Sequence, residues 1–472
     1  MIEKIIKAVK RGNKRRGRNI TIGAVIGFLL SCTAVIGADS YLWIREKDNT
    51  IQFNTIITTD NDGNIGDWNE ENPYSDNNWD KDTKTYTNNT TLLSSKANGV
   101  NINGDNISYG LRLSGNLTGV NFINNGSITG IISGSSGHSK GYGIYNLAIM
   151  GNMTNKGIIS GYGSGDGTGS ARGAGCGIYN NVKNNNIGNI ENIGIISGYG
   201  NAIFGNGTGY GIYNSAPMGN VTNKGIISGY GYGSDEAVGI FNYPGPMSII
   251  NTGVISGTSI GFASGYGIKN LDRMESITNK GIIIGSINSF ASGVGYGIYN
   301  FSGKIGNITN KGIISGTGTD NGDGYGIANE TFTSDDKGEI EVITNTGIIY
   351  GKDNAIKNDA DATIGTSNNY GILANGKDEK EVVYGTIDVN KGLIFKVVGE
   401  IYKAAADDYE KFGKTYVDEN IVIDYQKDDT GKPDLKRPIT KKYTIINAKA
   451  IDDGLSVIDT EKNITGTESL KL

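Results

Sequence analysis

The sequence predicts an all-β protein, a right-handed parallel β-helix whose coils contain about 28 to 37 residues. Three observations predict it: near-identical segments recur, apolar residues alternate within them, and glycine (74) is abundant while proline (6) is rare. "VTNKGIISGYG" begins at Val221, "MTNKGIISGYG" at Met153 and "ITNKGIISGTG" at Ile308. Self-similarity at a period of roughly 20 to 50 residues is typical of solenoids.

The alternation of side chains identifies the repeated segments as strands. In "VTNKGIISG" the residues Val221, Asn223 and Ile227 share one side of a period-two pattern, which is the period of a strand. Frequent glycine would destabilise a helix by about 1 kcal/mol per residue relative to alanine. Each period is therefore predicted to form one coil, with equivalent residues about 4.8 Å apart. Ile227 should lie in the core and Lys224 in solvent.

Asparagine recurs at two fixed places in the repeat, and we expect both sets to form hydrogen-bonded columns. At a bend of the coil, an inward amide can bond to the amides above and below it, which satisfies groups that the turn leaves unpaired. The first column contains Asn155, Asn192, Asn223, Asn251, Asn279, Asn310 and Asn345. The second column contains Asn146, Asn180, Asn214, Asn242, Asn270, Asn300 and Asn329.

The motif "GYGIYN" supplies two further columns, and the substitutions within each predict its orientation. The first tyrosine position is occupied only by apolar or aromatic residues, so we expect it to face the core; it holds Tyr142, Cys176, Tyr210, Val238, Tyr266, Tyr296 and Tyr325. The second position accepts Lys269, so we expect it to face solvent. Its aromatic members are the candidate binding residues Tyr145, Tyr179, Tyr213, Phe241 and Tyr299. Rings one coil apart can stack on sugars or on a partner's rings, or they can stack on one another and only stabilise the coils.

Composition limits the chemistry that the chain can perform. With one histidine, His138, and two cysteines, the sequence has no His-rich metal site and no disulfide framework. No carboxylate pair recurs at a fixed place in the repeats, as a polysaccharide-cleaving enzyme would require. We therefore expect no catalysis, no metal and no cofactor. The net charge is −5, and the chain is more acidic still without its basic leader, so no nucleic-acid partner is expected.

The chain divides into four segments. Residues 1–38 form an export signal: a Lys/Arg-rich leader, the apolar run "ITIGAVIGFLLSCTAVIGA", and the small residues Gly37 and Ala38 at the cleavage point. Cys32 in "LLSC" offers a second interpretation, a lipoprotein box in which Cys32 is lipidated. Residues 39–98 are an Asn/Asp-rich capping segment, and residues 99–375 contain the repeats. Residues 376–472 form a charged, β-rich segment, for which the end of the solenoid is one interpretation.

The basic leader, the apolar run and the I-x-N-x-G-x-I-x-G strands together resemble the passenger regions of type V autotransporters, which are surface proteins of Gram-negative bacteria. "KYTIINA" at Lys442 to Ala448 is similar to strands that close such passengers. The resemblance implies a β-helical stalk exported to the cell surface, the outer membrane or the medium. An adhesive role toward a host or cell-surface glycan or protein would follow from it.

Autotransporters continue into a membrane β-barrel, which is written as many alternating strands of about 10 residues. No such run follows Ala448. A truncated chain, a fragment and export through a separate outer-membrane translocator all stay open as explanations. The functional alternatives to a surface adhesin are a β-helical enzyme acting on polysaccharide and a lipid-anchored envelope protein.

Overall fold

The computed structural model describes most residues between 40 and 396 and four short strands nearer the C-terminus. The residues between 40 and 396 that are not described are 58–77, 96–98, 101–105, 135–137, 166–171, 182–186, 203–204, 234, 262, 289–292, 319–321, 334–335 and 378–379. The predicted export signal, with Cys32, Gly37 and Ala38, lies outside the described residues, as does most of the segment after Lys396.

The described secondary structure consists of strands. In chain order they are β1 (Ser40–Lys47), β2 (Thr50–Ile57), β3 (Trp79–Asp80), β4 (Thr85–Asn88), β5 (Thr91–Ser94), β6 (Gly99–Val100), β7 (Asn106–Leu117), β8 (Asn121–Asn124), β9 (Ser127–Gly134), β10 (His138–Met150), β11 (Met153–Asn155), β12 (Ile158–Gly165), β13 (Arg172–Asn180), β14 (Ile190–Asn192), β15 (Ile195–Ala202), β16 (Asn206–Asn214), β17 (Asn220–Asn223), β18 (Ile226–Gly233), β19 (Ala237–Asn242), β20 (Ser248–Asn251), β21 (Val254–Gly261), β22 (Gly265–Asn270), β23 (Arg273–Asn279), β24 (Ile282–Ile287), β25 (Val294–Phe301), β26 (Lys304–Asn310), β27 (Ile313–Thr317), β28 (Asp323–Glu330), β29 (Glu339–Asn345), β30 (Ile348–Gly351), β31 (Asn354–Asn358), β32 (Thr363–Asn369), β33 (Ile372–Asn375), β34 (Val383–Tyr384), β35 (Val389–Asn390), β36 (Leu393–Lys396), β37 (Tyr425–Lys427), β38 (Pro433–Pro438), β39 (Tyr443–Thr444) and β40 (Asn463–Ile464).

Strands β1 to β36 stack into a parallel β-solenoid, in which each complete coil adds one strand to each of three sheets, while β37 pairs with β38 and β39 with β40 in two small antiparallel sheets. Sheet A contains β1, β2, β6, β7, β10, β13, β16, β19, β22, β25, β28, β31 and β34. Sheet B contains β3, β4, β8, β11, β14, β17, β20, β23, β26, β29, β32 and β35. Sheet C contains β5, β9, β12, β15, β18, β21, β24, β27, β30, β33 and β36. The all-β parallel solenoid expected from the sequence is confirmed, and the right-handed turn stays a prediction.

The N-terminal end of the stack differs from its middle. There β2 pairs antiparallel with β1, and β3 pairs antiparallel with β4, whereas the strands of successive coils pair in parallel. An antiparallel hairpin covers backbone groups that the edge strand of a sheet would otherwise expose. Residues from the Asn/Asp-rich segment thus form the N-terminal edge strands of sheets A and B.

The core is aliphatic and runs through all coils. It is built from one isoleucine-rich column of each sheet, so that Ile212 of sheet A, Val221 of sheet B and Ile227 of sheet C meet in one buried cluster. The side chain of Lys224 is 53% exposed. The strand phase predicted from the sequence is therefore confirmed.

Two columns of asparagine line the interior at bends of the coil. Nδ2 of Asn192 donates to Oδ1 of Asn223 at 2.8 Å, and Asn223 donates in the same way to Asn251 at 2.8 Å. In the other column Asn180 donates to Asn214 at 2.7 Å. The asparagines that the sequence singled out occupy these columns and are buried. Every amide donates toward the C-terminal end, so each column has a single direction.

Both columns extend beyond the asparagines expected from the repeats. Asn88, Asn124, Asn369 and Asn390 continue the sheet B column, and Asn358 continues the sheet A column. The residue separation between bonded asparagines is 28 to 37 in the repeat region and falls to 24 and then 21 at the C-terminal end. The stack continues past residue 375 in these shorter coils.

Beside the aliphatic core, sheets A and C approach until their backbones touch. A Cβ atom on Gly141 of sheet A would collide with the carbonyl oxygen of Tyr162 on sheet C. A Cβ atom on Gly161 of sheet C would likewise collide with the carbonyl oxygen of Cys176 on sheet A. Only glycine permits this approach. Side chains in this region therefore stand on the outer faces of the two sheets.

Candidate functional site

The outer face of sheet A carries the aromatic residues that the sequence proposed for binding. Tyr145, Tyr179, Tyr213 and Phe241 follow one another on successive coils, with ring centroids 5.5, 4.9 and 4.8 Å apart and interplanar angles of 16°, 15° and 14°. Tyr299 lies two coils beyond Phe241. Because the rings stack along the solenoid axis, each ring covers the faces of its neighbours.

The first tyrosine column of the motif joins this outer face, and the predicted inward orientation is wrong. Tyr142 stacks on Tyr145 with centroids 5.2 Å apart, and Tyr296 lies 4.5 Å from Tyr299. These side chains are buried in aromatic clusters that are separate from the aliphatic core. The side chains of the first tyrosine column are buried because the second column packs against them, and not because they lie inside the solenoid. This burial explains why only apolar residues replace tyrosine there.

A break in the alternation of side chains at the glycine before the core isoleucine explains this arrangement, and the pairing of β10 with β13 omits this glycine on both strands. A Cβ on Gly143 would point at Cγ2 of Ile159, inside the solenoid, and Ile144 is also a core residue. Two consecutive residues therefore face inward, and the period-two alternation shifts by one. Tyr142 and Tyr145 then face outward on the same side of the strand. We name the double column, from Trp43 to Tyr325 on sheet A, the aromatic layer.

Cys176 occupies the place of the first tyrosine in the second of the "GYGIYN" coils. It is buried, and its thiol donates to the carbonyl oxygen of Ile178 at 3.0 Å. Burial raises the pKa of this thiol, while hydrogen bonds with the backbone act in the opposite direction. The thiol therefore stays protonated at neutral pH, as a small filling residue between Tyr142 and Tyr210.

Lysine enters the aromatic layer as an ion-paired residue. Nζ of Lys269 lies 4.9 Å from the ring centre of Tyr266 and pairs with Glu236. Each of these two side chains is only 16% exposed. Glu236 also accepts a hydrogen bond from the Tyr210 hydroxyl at 2.8 Å. Lysine is thus accepted because a carboxylate and aromatic faces surround it, and not because the position is open to solvent.

A second carboxylate cluster lies nearer the C-terminal end of the layer. Glu330 accepts a hydrogen bond from the Tyr299 hydroxyl at 2.9 Å and pairs with Nζ of Lys357 at 2.6 Å. Lys357 in turn lies 5.2 Å from the ring centre of Tyr325. Both Glu236 and Glu330 are therefore neutralised by a lysine and fixed by a tyrosine.

Burial governs the ionisation of the tyrosines in the layer. It raises the pKa of Tyr179, Tyr266, Tyr296 and Tyr299, and for Tyr299 the carboxylate of Glu330 acts in the same direction. Burial also raises the pKa of Tyr210 far above its ordinary value, followed by the effect of Glu236. The phenols are therefore neutral at physiological pH. Those of Tyr210 and Tyr299 donate hydrogen bonds to carboxylates, and that of Tyr179 accepts one from Nδ2 of Asn181 at 3.1 Å.

Two exposed rings border the layer, and the sequence analysis did not single them out. Phe332 is 71% exposed and meets Phe301 edge to face at 5.6 Å, while Phe301 stacks on Tyr299. Tyr243 is 51% exposed in the turn after β19. Both sit in turns that interrupt the repeat, "ETFTSDD" and "NYPGP". An aromatic residue within a polar turn is the signal that would have identified them.

The outer face of sheet B is polar and has its own asparagine column. The Oδ1 atom of Asn121 accepts from the backbone N–H of Asn152, Asn152 accepts from Asn189, and Asn189 accepts from Asn220, each at 2.9 Å. This column was also missed, although a Gly-Asn pair recurs at Gly151, Gly188 and Gly219. The three sheets thus present chemically different faces.

Within the described part of the chain, no three His, Cys, Asp or Glu residues lie close enough to hold a metal ion. None of the described residues forms a helix with the length and apolarity needed to cross a bilayer. No protein-family model, no curated protein and no solved structure matches this chain. The chain is a parallel β-solenoid with a repeated aromatic surface, and its resemblance to autotransporter passengers stays a prediction.

Proposed function

We propose that the protein is an exported cell-surface rod with a structural and adhesive role, and that it is not an enzyme. The aromatic layer is the observation that carries this proposal, because the same kind of surface is presented on coil after coil. A repeated surface can hold a repeated partner at several points, so that weak contacts combine into strong attachment. The proposed partner is a host or cell-surface glycan or protein.

Export rests on the sequence of residues 1–38, where a basic leader precedes an apolar run and small residues. The proposed destination is the outer membrane or the surface of a Gram-negative bacterium. A separate outer-membrane translocator is the proposed partner in export.

Because the rings of the aromatic layer stack on one another, only some of their surfaces are accessible to a ligand. The faces of Tyr145, Tyr179 and Tyr213 are occupied by neighbouring rings, so these residues present ring edges and hydroxyl groups. Phe332 and Tyr243 are more than half exposed, and a sugar or an apolar side chain can stack on an exposed ring face. The adhesive contact we propose combines these exposed rings with the hydroxyl groups of the layer.

Two serine variants test the adhesive role. A Tyr243→Ser, Phe332→Ser variant should lose binding to cells or glycans and keep its melting curve, because both rings lie at the border of the layer. Replacing Tyr145, Tyr179, Tyr213, Phe241 and Tyr299 by serine should lower the melting temperature as well, since each ring supports the next. Circular dichroism beside a cell- or glycan-binding assay measures both. Unchanged binding by both variants in the folded state would contradict the proposal.

The alternative of a polysaccharide-cleaving enzyme requires two carboxylates about 5–10 Å apart. Glu236 directly precedes β19 and Glu330 ends β28, with β22 and β25 between them. Three strand spacings separate these residues by about 14 Å along the axis, and each is paired with a lysine. Asp323 and Asp353 lie closer together, because both pair with Nζ of Lys377, at 3.1 and 2.7 Å, but the side chain of Asp353 is only 1% exposed. Incubation with bacterial and host polysaccharides should release no new reducing ends. Release that depends on either glutamate would favour the enzyme.

A further inference from the structure

Three tyrosines of sheet C form a separate aromatic column on its outer face. Tyr162, Tyr199 and Tyr230 hold the same position in β12, β15 and β18 and are paired in register. The ring centroids of Tyr162 and Tyr199 lie 5.2 Å apart with an interplanar angle of 14°, and those of Tyr199 and Tyr230 lie 4.7 Å apart with an angle of 8°. The preceding coil has Ile131 at this position and the following coil has Thr258. The column is thus a stack of three phenols.

We propose that Tyr199 is a site of oxidative cross-linking, at which a haem peroxidase using hydrogen peroxide joins it to Tyr230 or Tyr162 as dityrosine. One electron and one proton leave each of two phenols, and the peroxide is reduced to two water molecules. The two phenoxyl radicals couple through a ring carbon next to each hydroxyl, which forms one carbon–carbon bond. Those carbons then release their hydrogens as protons while the two oxygens are reprotonated, so both rings become phenols again.

The geometry favours coupling within this column. Parallel register fixes the three residues opposite one another, so contact between reactive carbons requires rotation of side chains and no movement of the backbone. The rings are half-buried and can therefore be reached by an oxidant. Burial raises the pKa of Tyr199 to about 12, so it reacts as a neutral phenol whose proton and electron leave together. Tyr142 and Tyr296 of the aromatic layer are buried. Tyr179 and Tyr213 of that layer are half-buried and stack with centroids 4.9 Å apart, so the linked peptides have to distinguish a bond at Tyr199 from one in the layer.

The bond would act as a staple across the coils. Each link joins two strands that are separated in the chain by a complete coil, so it closes a long loop and restricts the unfolded chain. The cross-linked protein should therefore melt at a higher temperature than the untreated protein. Cross-linking at Tyr199 needs no ligand on the aromatic layer, so its failure leaves the proposed adhesive role unaffected.

The test treats the purified full-length chain, at a concentration that keeps it monomeric, with a haem peroxidase and hydrogen peroxide. Trypsin cuts after Lys156, Arg172, Lys183, Lys224 and Lys269, which places the three tyrosines on three different peptides. Mass spectrometry should find these peptides linked in pairs with the loss of two hydrogens. Fragmentation should place the bond at Tyr199, and dityrosine fluorescence should rise in parallel.

Two matched variants make the result specific. Tyr199→Phe keeps the ring and the stack but removes the central phenol, and it leaves Tyr162 and Tyr230 two coils apart. The links and the rise in melting temperature should disappear in this variant, whose circular dichroism should match that of the native chain. Tyr232→Phe removes an exposed phenol from β18, the strand that carries Tyr230, and should leave the links through Tyr199 intact. Oxidation of the native chain without any link at Tyr199, or equal cross-linking in Tyr199→Phe, would overturn the assignment.

Discussion

Tyr142 and Tyr145 are three residues apart on β10, yet their rings stack with centroids 5.2 Å apart on one side of the strand. In a regular strand these two side chains would face opposite sides. The inward glycine and isoleucine between them shift the alternation, and sheet A thereby gains a second aromatic column. The width of the candidate binding surface is thus a consequence of a break in side-chain alternation that recurs with the Gly-Ile pair of the "GYGIYN" motif.

The interior asparagine column should be a large contributor to stability. Asn223→Ala removes the acceptor of Asn192 and the donor of Asn251. A buried polar group that loses its partner costs about 1 to 3 kcal/mol, so we expect the free energy of unfolding to fall by about 2–4 kcal/mol. Asn220→Ala, on the same strand but exposed, should change it by less than about 1 kcal/mol. Chemical denaturation measures both, and equal losses would contradict the role of the column.

The strand phase predicts a second pair of unequal substitutions. Ile227→Asp places a charge in the aliphatic core, where it has no partner, and should cost more than about 4 kcal/mol or prevent folding. Lys224 pairs with Glu191 at 2.6 Å, but both side chains are well exposed. Lys224→Ser should therefore cost less than about 1 kcal/mol. Thermal unfolding of the two variants is the measurement, and similar melting temperatures would refute the assigned phase.

The lysine inside the aromatic layer should behave differently from a surface lysine. Lys269→Met leaves Glu236 charged and largely enclosed, and we expect a loss on the order of 3 kcal/mol. The double variant Lys269→Met, Glu236→Gln should recover most of that loss, because no charge is then left without a partner. Lys224→Met is the exposed control. If Lys269→Met were as mild as the control, the pair would have to be treated as a surface ion pair.

Tyrosine burial predicts a loss of stability at high pH. The pKa of Tyr199 is raised from 10.0 to about 12, first by burial and then by neighbouring tyrosines. The contribution of this residue is complete below pH 10, where the phenol is neutral in both states. It falls as the pH rises from 10 to 12, because only the unfolded chain ionises there. The pKa values of Tyr145, Tyr213, Tyr230, Tyr325 and Tyr350 are raised in the same direction.

In a pH titration, the buried tyrosines should therefore ionise together as the protein unfolds, and not one by one in the folded chain. We expect phenolate absorbance to appear above pH 10 together with the loss of the circular dichroism signal of the strands. Below pH 9 the tyrosines are neutral in the folded and the unfolded chain, so they should not change the melting temperature. Above pH 10 the melting temperature should fall steeply. Ionisation of most tyrosines near pH 10 with the strand signal intact would contradict the burial of the layer.

The N-terminus of the exported protein distinguishes two routes. Sequencing should begin at Ala38 or Asp39 if an ordinary signal peptide is removed. A first residue at Cys32 that carries a lipid would move the protein to the lipoprotein class. Cys32→Ser provides the control, because it should abolish lipid attachment and leave ordinary cleavage unchanged.

The strands, the core and the interior asparagines could be predicted from the sequence because each of these positions accepts only a few residue types. A side-chain amide can donate and accept at the same time along a buried column, and asparagine recurs at that place in coil after coil, so Asn223 and its equivalents are recognisable by their spacing. The C-terminal extension was readable as well, since "NKGLI" recurs at Asn390. The end of the solenoid was accordingly one interpretation of residues 376–472, but the shorter coil obscured the position at which the repeats continue.

The side of each tyrosine column could not be derived in the same way. The break in alternation at Gly143 cannot be recognised from the sequence of one coil, so Tyr142 was assigned to the core. Lys269 was interpreted as evidence that its column faces solvent. Its ion-pair partner Glu236 is 33 residues away in the chain, so the pairing could not be recognised from the repeat. The exposure of Phe332 depends on the path of an inserted turn, which the repeat does not specify.

The single direction of the asparagine columns has an evolutionary consequence. An inserted coil brings one amide that accepts from the coil before it and donates to the coil after it, so the number of hydrogen bonds stays matched at any length. Insertion of a coil leaves the residues at the two ends of the solenoid unchanged. Recombination between the near-identical "NKGII" segments could therefore lengthen or shorten the rod by whole coils in one step. Length is then a trait that selection can adjust separately from the surface that each coil displays.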